Sequence, residues 1–338
     1  MNFRCPIPKN GLLYAPMEGV TDTPYRMTIS ELYPEWDLLY TDFLRLPSEG
    51  KFTPTKMIEH IGKEVLSSER LKAKTVFQIL ASQNSNIEEN LESLVAIGID
   101  KLDLNLGCPS KRVNAHGGGA YLLSNHDKLK DVLSRIRKNF PGFFSVKMRI
   151  GFKSDSNFID SLKLIEDCGA EAITLHARTR DQLYLGRADW SYVKKAVKTV
   201  SVPVIGNGDI WTLEDVENCF NETDCWAVMC GRSAMKTPWL STIYREYEGR
   251  LITVNEEVLR KERAEHLGVY FYYLEKQYRK YQYNDESILK RFKGLCQFLF
   301  VDYFEADAIR SLFLRSRELS EFKNNLELLQ RSPINAQI

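Results

Sequence analysis

Cys108 stands where an alternating run, Lys101-Leu-Asp-Leu-Asn-Leu106, is broken by Gly107, and Pro109 follows it. Alternation of polar and apolar residues is the period of a strand, so the thiol falls just beyond a strand end. Pro109 biases Cys108 toward extended backbone, and the glycines 117–119 let the next segment approach another group closely or move as a lid. A thiol at a strand end under a mobile loop is the arrangement of a reaction site, and a buried inert cysteine is the ordinary alternative. Two more stretches, Gly206-Asn-Gly-Asp-Ile210 and Cys230-Gly-Arg-Ser233, place glycines and polar residues after apolar runs. Their open backbone N–H groups and the guanidinium fork of Arg232 suit a phosphate, although plain glycine turns share the pattern. Lys147 and His176 could offer positive charge and a hydrogen-bond donor to an electron-rich ring, or could be paired charges closing a barrel top.

These side chains need elements to carry them. Eight short apolar or alternating runs recur, at 12–15, 37–40, 75–80, 102–106, 144–150, 172–176, 202–205 and 226–230. Between several of them lie amphipathic stretches of helical period, at 87–97, 128–139, 158–168 and 190–199. Strand and helix in alternation demand a parallel sheet, and eight units in about 240 residues predict a closed (β/α)8 TIM barrel. An open doubly wound sheet is disfavoured because no Gly-x-Gly-x-x-Gly follows the first strand. In a barrel the chemistry sits on the loops leaving the strands' C-terminal ends. Those exits read Ala15-Pro-Met-Glu-Gly19, Thr41-Asp-Phe-Leu-Arg45, Gln78, Asn105-Leu-Gly-Cys108, Lys147-Met-Arg149, His176-Ala-Arg178, Gly206-Asn-Gly-Asp209 and Gly231-Arg232.

The chain of 338 residues is long enough for such a barrel and an appendage. No apolar run reaches the roughly 18–20 residues of a membrane span, and no signal segment opens the sequence, so a cytoplasmic protein without a membrane partner is expected. Seven cysteines, an odd number with no Cys-x-x-Cys pair, argue for reduced thiols and against a zinc ribbon; no metal is expected. The net charge of +1 is silent on partners. After Trp239 the strand pattern stops and helical runs rich in Leu and aromatics follow, which predicts a smaller all-helical C-terminal domain, with a barrel domain at 1–243 and the helical domain at 244–338. Residues 276–293 mix Lys276, Arg279, Lys280, Lys290, Arg291 and Lys293 with Tyr278, Tyr281 and Tyr283. That mixture suits a phosphate backbone and exposed bases, and equally a solvated helix face.

With these residues in view, the chain resembles the tRNA-dihydrouridine synthases (Dus), most closely their bacterial C-type branch. The likeness is carried by Ala15-Pro-Met-Glu-Gly-Val-Thr-Asp22 and by the Asn, Gly-Cys-Pro, Val, Gly-x-Gly-Ala and Leu-Leu positions of 103–123. His176-Ala-Arg-Thr179, Asn207-Gly-Asp-Ile210, Gly231-Arg232 and Pro238-Trp239-Leu240 complete it; over the helical domain it rests on Lys290-Arg-Phe-Lys293. The resemblance implies an NAD(P)H- and FMN-dependent oxidoreductase that acts as a monomer and reduces a D-loop uridine of tRNA, U16 in the C-type branch. By position it implies that Pro16, Met17, Glu18, Gln78, Lys147 and His176 border the flavin. It assigns Asn207, Gly208, Asp209, Gly231 and Arg232 to the FMN phosphate end, and Cys108 to catalysis as the proton donor. Arg45, Asn105, Tyr184, Arg291 and Lys293 would face tRNA, and NADPH or NADH would be the electron donor. An FMN-dependent barrel oxidoreductase acting on a small molecule, of the dihydroorotate dehydrogenase type, is the alternative; it leaves the basic helical segment without a purpose.

Overall fold

The computed structural model describes residues 5–247, 256–301 and 306–331. Eight parallel strands close on themselves: β1 Gly11–Tyr14, β2 Leu38–Tyr40, β3 Thr75–Leu80, β4 Lys101–Leu106, β5 Phe143–Gly151, β6 Ala172–Thr179, β7 Val204–Asn207 and β8 Ala227–Cys230. Each pairs with the next, and β8 pairs with β1, so no edge is left open. The chain is the TIM barrel that its alternation predicts, and every one of the eight runs becomes a strand. A two-residue segment, Leu44–Arg45, extends the sheet beside the end of β3 and has no counterpart in the sequence pattern.

Side-chain parity explains the barrel's interior. On β5, Phe143, Ser145, Lys147 and Arg149 share one face; on β6, Ala172, Thr174, His176 and Arg178 do. The first members of these series, with Leu13, Leu38, Val76, Ile205, Ala227 and Met229, form one buried apolar cluster. Further along the strands the inward positions turn polar: Gln78, Asp103, Asn105, Ser145, Lys147, Thr174, His176 and Asn207. One end of the barrel is therefore an ordinary core, and the strand exits hold a layer of hydrogen-bonding groups. Leu102, Leu104, Val146, Met148, Ile173 and Leu175, of opposite parity, are fully buried as well. Both faces of a parallel sheet are covered in this fold.

Contacts divide the chain into two compact units, one of residues 1–23 and 36–231, the other of residues 24–35 and 232–338. The helix Thr23–Leu32 thus packs largely with C-terminal helices, where the sequence reading put everything up to 243 with the barrel. In the second unit Trp239 stacks on His266 with ring centroids 4.9 Å apart, and Tyr33 touches both rings and Tyr270. Farther along, Phe271, Phe292, Phe313 and Phe322 meet edge-on or tilted around one centre. C-terminal helices are present as expected, from Leu240–Tyr247 and Glu256–Lys280 to Leu319–Arg331. No described helix is long and apolar enough to cross a membrane.

Candidate active site

The turn that carries Cys108 is held by side chains on every side. Asn105, the last inward residue of β4, turns its Oδ1 back to accept the backbone N–H groups of Gly107 and Cys108, each at 2.9 Å. Arg149 at the end of β5 donates through Nε to the Gly107 carbonyl at 3.0 Å. Asn114 donates to the Cys108 carbonyl at 3.2 Å and accepts the Tyr121 N–H at 2.9 Å, which ties the turn to the segment that follows. That segment lies directly on the thiol's backbone. Gly119 has φ +60°, and a Cβ there would sit 3.2 Å from both Cys108 Cβ and Cys108 O, and 3.0 Å from Val113 Cγ1. Glycine is required at 119 for a close approach, one of the two roles its spacing suggests.

Cys108 is 7 % exposed and packs with Leu80, Val113 and Phe43. Burial pushes its thiol up; the backbone of Ser110 holds it down, Glu18 pushes it further up, and Arg149 and Arg45 pull it down. The thiol is accordingly protonated at neutral pH. It sits among charges of both signs, unlike an inert core cysteine.

Beneath it runs a polar chain across the barrel. Gln78, fully buried, donates through Nε2 to Asp103 Oδ2 at 2.7 Å and accepts from Asn105 Nδ2 at 2.9 Å. Ser145 donates to the other Asp103 oxygen at 2.6 Å. Burial raises Asp103 to about 6, against the hydrogen bonds of Ser145 and Gln78 and the charge of Lys147, so it is mostly ionised at neutral pH. Lys147 is lowered to about 8 by burial, with Arg149 adding to the effect and Asp103 opposing it. Its ammonium donates to Asn207 Oδ1 at 3.0 Å, and Asn207 in turn donates to Met229 O at 2.7 Å. An ammonium has three donors, so two of Lys147's remain for an anionic or carbonyl acceptor. That donor set fits the electron-rich edge of a flavin ring.

At the exits of β6 and β7, His176 Nε2 lies 3.3 Å from Arg178 Nη1. Because arginine only donates, His176 accepts there. Arg178 is fully buried, pairs with Asp209, and donates to Gly186 O at 2.6 Å and Leu185 O at 3.3 Å. Asp209 also accepts the Ala188 N–H at 2.7 Å. Its carboxylate thus anchors the loop after β6, and what Asp209 can offer a phosphate lies in its backbone. Gly208 has φ +109°, and a Cβ there would meet His176 Cδ2 at 2.8 Å and Ala188 Cβ at 2.9 Å. Gly231, beside Ala15 and Met17, has only ordinary contacts.

Of the residues singled out from sequence, Gln78, Asn105, Cys108, Lys147, His176, Asn207 and Gly208 are linked by the contacts above or by strand pairing. Pro16 and Met17 are half-buried on the turn after β1, where Met17 O accepts the N–H groups of Val20 and Thr21, and Glu18 is exposed. Tyr184 is 53 % exposed on the loop after β6, with Arg149 over its ring at 5.6 Å and His176 beside it. Arg232 opens the short helix Arg232–Lys236 of the second unit. Arg291 and Lys293 flank buried Phe292 on the helix Asp285–Leu299 and are both half-buried. In the basic segment Tyr278 is buried, Arg279 pairs with Glu275 and Asp285, and Lys276 pairs with Glu31, so fewer of its side chains face solvent unpaired than composition suggests. Sequence reasoning assigned no role to Asp103 or Asn114, and named Arg149 and Arg178 only as members of the strand exits. Parity marks three of them: Asp103 lies between inward Lys101 and Asn105, and Arg149 and Arg178 continue the inward series of β5 and β6. All seven cysteines are free thiols, and among the described residues no group of three or more His, Cys, Asp or Glu could hold a metal ion.

Comparison with known proteins agrees with this architecture. The chain is 35 % identical over 234 residues to a tRNA-dihydrouridine(16) synthase of Cupriavidus necator, covering 68 % of this chain and 72 % of the relative. It is 33 % identical over 245 residues to the protein of that name from Yersinia pestis, covering 71 % and 78 %, and 31 % identical over 269 residues to that of Escherichia coli K12, covering 77 % and 84 %. Among solved structures, histamine dehydrogenase from Rhizobium sp. 4-9 shares the fold at TM-score 0.53 and 13 % identity, over 80 % of this chain and 49 % of that one. The family model described as dihydrouridine synthase (Dus) matches residues 13–332, and the chain belongs to that family of oxidoreductases.

Proposed function

We propose that this protein reduces a uridine of tRNA, at position 16 of the D loop, to 5,6-dihydrouridine, with Cys108 donating the proton to C5. The observation that carries the reading is the Cys108 turn, clamped by Asn105 and Arg149 at a barrel strand exit beside a layer of flavin-compatible donors. The names of its relatives supply the substrate class and the position.

When bound, FMN, reduced by NADPH or NADH, supplies the hydride that adds to C6. Gln78, Lys147, His176 and Asn207 would face its ring and sugar side, with Pro16, Met17 and Glu18 along one edge. Backbone N–H groups of Gly208, Asp209 and Gly231 and the side chain of Arg232 would hold the phosphate. Lys147, with two donors available, places positive charge where negative charge accumulates. Asn105 and Cys108 lie where the pyrimidine must be presented, and Arg45, Tyr184, Arg291 and Lys293 contact the surrounding tRNA.

Hydride addition at C6 leaves negative charge at C5, conjugated to the C4 carbonyl, and a proton delivered to C5 quenches it and completes saturation of the bond. Cys108 is competent because its raised thiol is protonated before the reaction. Arg149 and Arg45 then stabilise the thiolate left behind until solvent returns its proton. The target base must leave the tRNA stack to reach this exit, at a cost of a few kcal/mol that backbone contacts offset. The test is dihydrouridine mapping by mass spectrometry on tRNA from cells lacking the gene. Loss at position 16, restored by the intact gene, is expected; an unchanged map, with activity on free pyrimidines instead, would replace this reading by the small-molecule one.

A further inference from the structure

We infer that Asp103 is the positioning residue for Cys108, acting through a directed chain of two side-chain amides, Gln78 and Asn105. The inference rests on the functional reading above and concerns how the thiol is held. Asp103 is fully buried and, when ionised, can only accept hydrogen bonds. One of its oxygens takes the Ser145 hydroxyl, so the other admits only a donor, and Gln78 presents Nε2. With Nε2 committed, Gln78 turns Oε1 toward Asn105, which must answer with Nδ2. Asn105 is then left with Oδ1 facing the N–H groups of Gly107 and Cys108. Reversal at any link would set donor against donor or acceptor against acceptor. The carboxylate at one end and two backbone N–H groups at the other demand the same polarity, and a buried network satisfied throughout is rigid.

The register of the sheet makes this chain possible. Gln78 stands opposite Asp103 between β3 and β4, and Asp103 opposite Ser145 between β4 and β5. Asn105 lies two residues beyond Asp103 on the same inward face. Without the carboxylate, the Gln78 amide loses the partner that fixes its orientation, and the Asn105 bond to the Cys108 turn loses its support. The Arg149 bond to Gly107 O and the Asn114 bond to Cys108 O would remain, so the turn loosens without unfolding.

Three variants test this. Asp103→Leu keeps a similar volume and removes the acceptor. Asp103→Asn keeps an oxygen toward Gln78 and can donate to Ser145, whose hydroxyl also accepts. Gln78→Leu breaks the chain one link further on. In flavin-free protein, alkylation of Cys108 by iodoacetamide, read by peptide mass spectrometry, should be about tenfold faster in Asp103→Leu and Gln78→Leu, the worth of roughly one lost hydrogen bond. In FMN-loaded protein, single-turnover tRNA reduction by Asp103→Leu should fall about 10²-fold, as expected for a displaced reacting group. Asp103→Asn should stay close to wild type in both assays, and Asp103→Leu added to Gln78→Leu should change alkylation no further.

Wild-type alkylation and turnover in Asp103→Leu would overturn the inference. So would an Asp103→Asn variant as impaired as Asp103→Leu, which would assign the effect to charge, or additive effects in the double variant. Should Asp103→Leu fail to fold, Asp103→Asn and Gln78→Leu still decide the matter, since the inference requires the first to resemble wild type and the second not to. Alkylation needs neither flavin nor tRNA, so a wild-type protein that reduced no tRNA would overturn the functional reading separately.

Discussion

Cys108 combines the burial of a structural cysteine with the charged surroundings of a reactive one. Its raised thiol gives a pH signature with a definite sign. The proton is available while the thiol is protonated, so single-turnover tRNA reduction should be flat through neutral pH and decline only above roughly 8.5, the range of an unperturbed thiol. A decline that begins below that range and persists in Lys147→Met would show a thiol held down by its arginines. Lys147 makes the second residue-level prediction. Because burial lowers its ammonium to about 8, FMN affinity measured by fluorescence quenching should weaken as pH rises through that value. Lys147→Met should bind FMN more weakly at neutral pH and lose that step. An equal pH dependence in the variant would remove Lys147 from the flavin contacts.

At the scale of elements, the eight strands were legible because each alternates or runs apolar over four or more residues and ends in glycine or polar residues. Candidate residues that the structure gathers at the strand exits were legible where chemistry and exit coincided, as at Asn105, Cys108, Lys147 and His176. Asp103, Arg149 and Arg178 were harder to see. Inward parity can be read from one strand, but whom each polar group meets depends on register between strands, which no single stretch of sequence shows. The glycines' spacing suggested a close approach or an open turn without naming the neighbour, and the structure supplies it: Gly119 lets a helical turn lie against Cys108, and Gly208 clears the His176 ring. Gly208→Ala combines positive φ with a Cβ 2.8 Å from that ring, so it should destabilise the fold by about 1–3 kcal/mol and weaken FMN retention. Denaturant unfolding and flavin content check this; an alanine variant as stable and as yellow as wild type would contradict the packing described.

For the whole molecule, the proposed function assigns the chemistry to the barrel and recognition of tRNA to the helical unit. The net charge of +1 is silent on nucleic acid, so the proposed affinity rests on local cations. Part of the 276–293 segment is helix core or paired charge, with Tyr278 buried and Arg279 bound to two carboxylates. Composition could not reveal this, because pairing depends on residues such as Glu31, far away in sequence. Arg291→Ala and Lys293→Ala should each weaken tRNA binding and reduce the log–log salt slope by about 0.7–0.9 per lost phosphate contact. Reduction of bound flavin by NADPH should be unchanged in both, and full tRNA affinity in both would take the helical unit's face out of recognition.

The central claim is that Cys108 protonates the uracil ring in tRNA. Its most direct test is purified, FMN-loaded protein given NADPH and unmodified tRNA transcript, with dihydrouridine counted by its two-hydrogen mass increase in wild type and in Cys108→Ala. Wild type should form it at one D-loop position, and the variant should be slower by about 10² to 10⁴-fold with flavin content and NADPH oxidation by bound flavin preserved. Equal rates in the two proteins would contradict the account.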